Sequence, residues 1–154
     1  MYRGRRVAVV IPAYNVAPQI AGVVKGIPDF VDEIVVVDDA SIDQSAQIVA
    51  GLSDARLTLL RHDRNQGVGA AMCTGFRLAL ERGAEIVVKM DGDGQMDPAA
   101  LPALLEPIVA DGYDYAKGNR FLCEDALREM PKVRLVGIVG RNLLDDPAQT
   151  AGFD

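Results

Sequence analysis

The sequence has no tryptophan, one histidine and two cysteines among its 154 residues. Cys73 and Cys123 lie far apart in no paired motif, so neither a disulfide framework nor a zinc site is indicated, and a reducing, cytosolic setting fits best. His62 has no second imidazole or thiolate at metal-ligand spacing and reads as a surface or structural residue. No run approaches the roughly 18 apolar residues of a membrane span. Residues 7–11 are too short for a signal-peptide core and are cut by Pro12, so a soluble chain is expected. The net charge of −6 argues against a broad nucleic-acid surface and leaves "RGRR", residues 3–6, as a small solvated basic cluster. Repeats, low-complexity tracts and linkers are also missing. What remains is 49% hydrophobic and 25% charged, an ordinary globular balance at a length that suits a single domain over residues 1–154.

Five short apolar runs rich in valine and isoleucine alternate with segments of helical period: "RVAVVIPA", "DEIVVVDD", "RLTLLRHD", "EIVVKMDG" and, weakest, "YDYAKGNR". That alternation predicts an α/β fold, a mainly parallel sheet with helices on both faces. Helices are expected near residues 18–26, 44–52, 68–82 and 98–110, with a further one from about Lys132. Ser41 with Gln44 reads as a capping box, Gly83 as a helix stop, and Asp97 before Pro98 as an N-cap.

In an open parallel sheet, ligands bind beyond the carboxyl ends of the strands, where the strand order reverses. The first strand runs into "IPAYN", the second into "VDDAS", the third into "RHDRNQGVG" and the fourth into "MDGDGQ". Asp38, Asp39, Asp91 and Asp93 are therefore expected to converge on one crevice, a costly arrangement unless they are protonated, paired or metal-bound. Oxygen donors of this kind suit Mg²⁺ or Mn²⁺, so Asp91, Asp93 and Gln95 are candidate ligands of a divalent cation completed by a diphosphate. Gly92 and Gly94 leave the backbone bare where a ligand must approach. The alternative is a tight turn enriched in aspartate and glycine. "NQGVGA" has Gly67 and Gly69 in place but Met72 where a dinucleotide fingerprint needs its third glycine. Its backbone N–H groups either face an anion at a helix start or simply pack that start closely on the sheet.

Taken in order, "VVIPAYN", "DEIVVVDDAS", "NQGVGAAMCTGF", "VVKMDGDGQMDP" and "GNRF" resemble the family-2 glycosyltransferases of GT-A (Rossmann-like) fold, over residues of about 7–134. The subgroup is that of dolichyl-phosphate mannose synthase and bacterial polyprenyl-phosphate sugar transferases. The resemblance implies that Pro12, Ala13, Tyr14, Asn15, Asp38, Asp39 and Gly67 line a nucleotide pocket, with Asp91 beside them. It implies that Asp91, Asp93 and Gln95 hold Mg²⁺ or Mn²⁺ on the donor diphosphate. Asp93, with Arg120 in "GNRF" and Arg134 in "MPKVR", is then a candidate for transfer itself, the guanidinium forks matching phosphate geometry. The implied donor is a UDP- or GDP-sugar and the implied acceptor a lipid phosphate, with peripheral association at the inner face of a membrane.

Two departures stand out. Val16 occupies a position where the family usually has glutamate, and the chain ends at Asp154, before the further strands and acceptor elements of related enzymes, so a C-terminally truncated fold is expected. An inverting transferase and a partial nucleotide-sugar-binding domain that transfers nothing share every motif. For a hydroxyl acceptor, Glu124, Asp125 and Glu129 are the acids within reach, although solvated loop charge is their simpler role. A phospho-receiver domain would leave "DGDGQ" unexplained, and an NAD-binding domain lacks the fingerprint.

Overall fold

A computed structural model describes residues 1–117. Its elements follow one another as β1 (Val7–Ala13), α1 (Ala17–Gly26), β2 (Glu33–Asp38), α2 (Ser45–Ala50), β3 (Leu57–Arg61), α3 (Val68–Glu81) and β4 (Ile86–Lys89). A 3₁₀ turn at Pro98–Ala100 then leads into α4 (Leu101–Ala110). Four of the five expected strands are present, and all pair in parallel in the order β3-β2-β1-β4. β1 is thus central, with Val9 opposite Ile34 on one side and Val88 on the other. The chain winds outward through β2 and β3, then returns to the far side of β1, which makes the β1–β4 gap the point of reversal.

Burial on both faces explains why the central strands β1 and β2 read as unbroken apolar runs rather than alternating ones, while the edge strands β3 and β4 are only partly buried. On one face, Val7, Val9, Ile11, Ile34 and Val36 pack with Ile20, Val23 and Val24 of α1, Val49 of α2, and Leu101 and Leu105 of α4. On the other, Ala8, Val10, Val35 and Val37 meet Ala71 and Ala79 of α3. Each valine or isoleucine buried in this way contributes roughly 1.5–3 kcal/mol. α3 comes unusually close: at Gly75 an added Cβ would lie 2.3 Å from Val10 Cγ1.

The boundaries are partly as expected. Asp97 Oδ1 accepts from Ala99 N at 2.9 Å, and Gly83, at φ +80°, ends α3 while Ala84 N donates to Ala79 O. The Ser41–Gln44 capping box does not form. α2 starts at Ser45, whose N–H donates to Asp43 Oδ1 at 2.9 Å, while Ser41 Oγ accepts instead from Asn15 N at 3.0 Å. A long-range partner outcompetes the local one. No strand forms at 113–117: Gly112 turns the chain at φ +74°, Tyr113 N donates back to Pro107 O, and Tyr113 and Tyr115 are exposed. The rest of "YDYAKGNR", Cys123, the acids at 124, 125 and 129, and the helix expected from Lys132 lie outside the described residues. Among the described residues, no helix is long and apolar enough to cross a membrane.

Candidate functional site

Parallel pairing brings the carboxyl ends of all four strands to one edge, and there a cavity of about 230 Å³ opens. Pro12, Ala13 and Tyr14 line it from the end of β1, Asp39 from just past β2, and Asp91 from the turn after β4. Asn65, Gly67, Val68 and Ala71 close it from the start of α3. Of the residues marked in the sequence, Pro12, Ala13, Tyr14, Asp39, Gly67 and Asp91 therefore meet on one cavity. Asn15, Asp38, Asp93 and Gln95 do not line it, and Arg120 and Arg134 lie outside the described residues.

The two neighbouring aspartates do different work. Asp38, 1% exposed, points into the structure: Oδ1 accepts from Ser41 N at 3.3 Å, and Oδ2 lies 3.1 Å from Arg61 Nε without an aligned hydrogen bond. Asp39, 3% exposed, faces the start of α3. Its Oδ1 accepts from Gln66 N at 2.9 Å and from His62 Nδ1 at 2.7 Å, and its Oδ2 accepts from Gly67 N at 2.7 Å. Burial opposes the charge on Asp39, but these hydrogen bonds prevail and hold its carboxyl below the ordinary carboxylate range. Of the two readings of this helix start, the N–H groups do face an anion, and it is Asp39 itself. The amides of Gln66 and Gly67 are spent on a carboxylate of their own chain rather than held open for a phosphate. Gly67, at φ +87°, adopts a backbone that favours glycine.

Asn15 ties the first two loops together. At φ +54°, it accepts from Ile42 N through Oδ1 at 3.0 Å while its own N–H reaches Ser41 Oγ. Ala40, in the same cluster, also has a left-handed backbone, φ +59°.

The turn after β4 carries the acids. Asp91 Oδ1 forms an ion pair with Lys89 Nζ at 2.5 Å, and exposed Asp93 accepts from Gln95 N at 3.0 Å. Gly94, at φ +76°, makes the turn. Gly92 also has a packing reason. A Cβ there would lie 3.3 Å from both Ile20 Cδ1 and Val16 Cγ2, so α1 and its leading residue approach closely at this point. Val16, the apolar departure, thereby seats the acidic turn. Among the described residues no group of three or more His, Cys, Asp or Glu converges. Two carboxylates on a solvent-open turn nevertheless fit a hard divalent cation that takes its other ligands from water or a diphosphate.

His62, Thr74 and Lys89 were not marked as site residues. His62 and Lys89 follow or end strands at the same edge as the acids, and that placement was the available signal. Thr74, in the middle of α3, offered none.

The family model for glycosyl transferase family 2 matches residues 8–151. The chain is 31% identical over 150 residues to the UDP-N-acetylglucosamine–dolichyl-phosphate N-acetylglucosaminyltransferase of Methanococcus voltae, covering 88% of this chain and 60% of that protein. It is 34% identical over 137 residues to the polyprenol monophosphomannose synthase of Mycolicibacterium smegmatis, covering 86% of this chain and 51% of that one. The chain thus spans about half the length of these curated relatives. Among solved structures, glucosyl-3-phosphoglycerate synthase from Mycobacterium tuberculosis, crystallised with Mn²⁺, UDP and glucosyl-3-phosphoglycerate, matches with a TM-score of 0.56. That match is 26% identical and covers 70% of this chain and 40% of the other.

Proposed function

The chain belongs to glycosyl transferase family 2 and has the GT-A fold of its solved relatives, and on that premise we propose that residues 1–154 form one domain that binds a UDP- or GDP-sugar at the carboxyl edge of the sheet. The sugar passes, with inversion, to a polyprenyl phosphate. The observation that carries this reading is the cavity of about 230 Å³ at the reversal of strand order, with a buried acceptor, Asp39, on one wall and Asp91 on another. It is smaller than the ~300–1,000 Å³ usual for a drug-sized ligand. That suits one end of the donor, the base and ribose against Pro12, Ala13, Tyr14 and Asp39, with the diphosphate running toward Asp91.

Asp91 and Asp93, with Gln95, would hold Mg²⁺ or Mn²⁺. The cation, when bound, offsets the charge that develops on the departing nucleoside diphosphate. Lys89 already places one positive charge at that edge. Arg120 and Arg134 complete the reading as phosphate contacts, an assignment that rests on the motifs around them. A polyprenyl phosphate acceptor is itself an anion and needs little general-base help; it would be met by peripheral association at the cytoplasmic face of a membrane. The names of the two polyprenyl-type relatives support this acceptor, and the Mn²⁺ and UDP of the solved neighbour support the donor and cation.

The test is calorimetric titration of the chain with UDP, GDP and their sugars, with Mn²⁺ or with EDTA, repeated on Asp91→Asn and Asp93→Asn. Metal-dependent binding weakened at least tenfold in both variants is the expected result. A folded chain that binds neither nucleotide, with or without metal, refutes the site. Transfer of a labelled sugar to polyprenyl phosphate in vesicles, with the anomeric configuration of the product read by NMR, tests the acceptor and inversion separately.

A further inference from the structure

The one histidine of the chain, His62, bridges two elements of the site wall. Its Nδ1 lies 2.7 Å from Asp39 Oδ1, its Nε2 lies 3.0 Å from Thr74 Oγ1 on α3, and its side chain is 9% exposed. A carboxylate only accepts, so the Nδ1 contact requires a proton on that nitrogen. The backbone repeats the tie, with His62 N donating to Asp38 O at 2.9 Å. The order Asp–His–Thr has the connectivity of a nucleophile relay, but Thr74 does not line the cavity, so its hydroxyl has no substrate to attack. A holding role remains.

What is held is the direction of Asp39. A carboxylate offers about four lone-pair sites. Three are filled, by His62 Nδ1, Gln66 N and Gly67 N. The remaining one is on Oδ2, on a residue that lines the cavity. Residues 63–66, which run from His62 to α3, are exposed, so no apolar packing fixes Gln66 and Gly67 against Asp39. His62 is the one side chain among the described residues that donates to Asp39.

We propose that His62 is a positioning residue for donor binding: braced by Thr74, it fixes Asp39 so that its last acceptor site meets an N–H or O–H of the nucleoside. This rests on the reading of the cavity as a nucleotide site. The tests are His62→Phe, which keeps a ring but loses both polar contacts, His62→Asn, which keeps a donor toward Asp39, and Thr74→Val, which keeps shape without the hydroxyl. Affinity for UDP and GDP is measured by calorimetry, affinity for Mn²⁺-pyrophosphate in parallel, and exchange of the Gln66 and Gly67 amides by NMR.

His62→Phe should weaken nucleotide binding about tenfold or more, the scale of one lost hydrogen bond to a charged group, and speed exchange at both amides. Pyrophosphate affinity should be unchanged, His62→Asn should recover most of the loss, and Thr74→Val should fall between. Wild-type nucleotide affinity in a folded His62→Phe, an equal loss for pyrophosphate, or no recovery in His62→Asn overturns the proposal. If the wild-type chain binds no nucleotide, the reading of the cavity fails. The amides then decide the tie alone, and unchanged exchange in His62→Phe ends it.

Discussion

Gly75→Ala sets two opposed effects against each other at the seam between α3 and the sheet. In an open helix the change stabilises by about 0.8–1.0 kcal/mol, because alanine loses less backbone entropy on folding. At Gly75 the new methyl would stand 2.3 Å from Val10 Cγ1 and 3.2 Å from Val37 Cγ2. Both valines are fully buried and β-branched, so neither has a free rotamer to retreat into. Overpacking of this kind costs about 1–3 kcal/mol, and an overlap with the central strand belongs at the upper end or beyond. The net expectation is a loss of about 2 kcal/mol, read as a lower urea midpoint at unchanged m-value. Gly22→Ala is the control: it is helical and has nothing within 4 Å of the new Cβ, so it should gain about 0.8–1.0 kcal/mol. Ala71 lies one turn before Gly75 and lines the cavity, so lifting α3 should also weaken nucleotide binding. A Gly75→Ala variant as stable as the wild type, or stabilised like the control, refutes the packing argument.

Asp39 should shape the acid limb of stability. Its folded pKa lies below its ordinary value of 3.8, so its stabilisation is complete above that value and is lost as pH falls through the lower folded one. Asp39→Asn should lose about 2–3 kcal/mol at neutral pH and show a shallower decline in urea midpoint below about pH 4, and an identical acid limb would contradict this. Ala40→Gly should stabilise by about 0.5–1 kcal/mol, because relief of the left-handed backbone at φ +59° exceeds the added entropy of the unfolded chain; a lower melting temperature would show that the strain is not there. Lys89→Met removes the cation paired with Asp91 and should tighten Mn²⁺ binding about two- to fivefold, the scale of a part-exposed ion pair, with electron paramagnetic resonance of free Mn²⁺ as the readout. Weaker Mn²⁺ binding would instead make Lys89 part of the site's support.

What could be read from the sequence was whatever depends on neighbours along the chain. The central strands at Val7 and Glu33 announce themselves as apolar runs because burial on both faces forbids alternation, and the half-buried edge strands at Leu57 and Ile86 are largely apolar too. Asp97 before Pro98 and Gly83 are caps whose partners lie within a few residues. What escaped was settled across the fold. Ser41 had a plausible local partner and lost it to Asn15, distant in sequence but adjacent across two loops. The room that Gly92 leaves for Val16 and Ile20 depends on how α1 packs and could not be read from "DGDG". The amides at Gln66 and Gly67 were correctly placed at a helix start, but nothing in "NQGVGA" could say that Asp39 already fills them. The crevice of four aspartates resolved in the same way, since the partner of each acid depends on which loop faces it.

The return of β4 to the far side of β1 also sets a timetable. Val7 waits for Ile86, so a chain emerging from the ribosome can assemble β1, β2 and β3 long before the second edge of its central strand is covered. Asp91 arrives with that last strand, after Pro12, Ala13, Tyr14, Asp39 and the start of α3 have placed the other walls of the cavity. A donor therefore meets a half-wound chain with the base and ribose wall placed and the wall proposed for metal and diphosphate still absent. The metal cannot assist those early steps, and its added effect should fall on escape from the finished state: unfolding slower with Mn²⁺ and nucleotide than with nucleotide alone, with no difference in the folding rate.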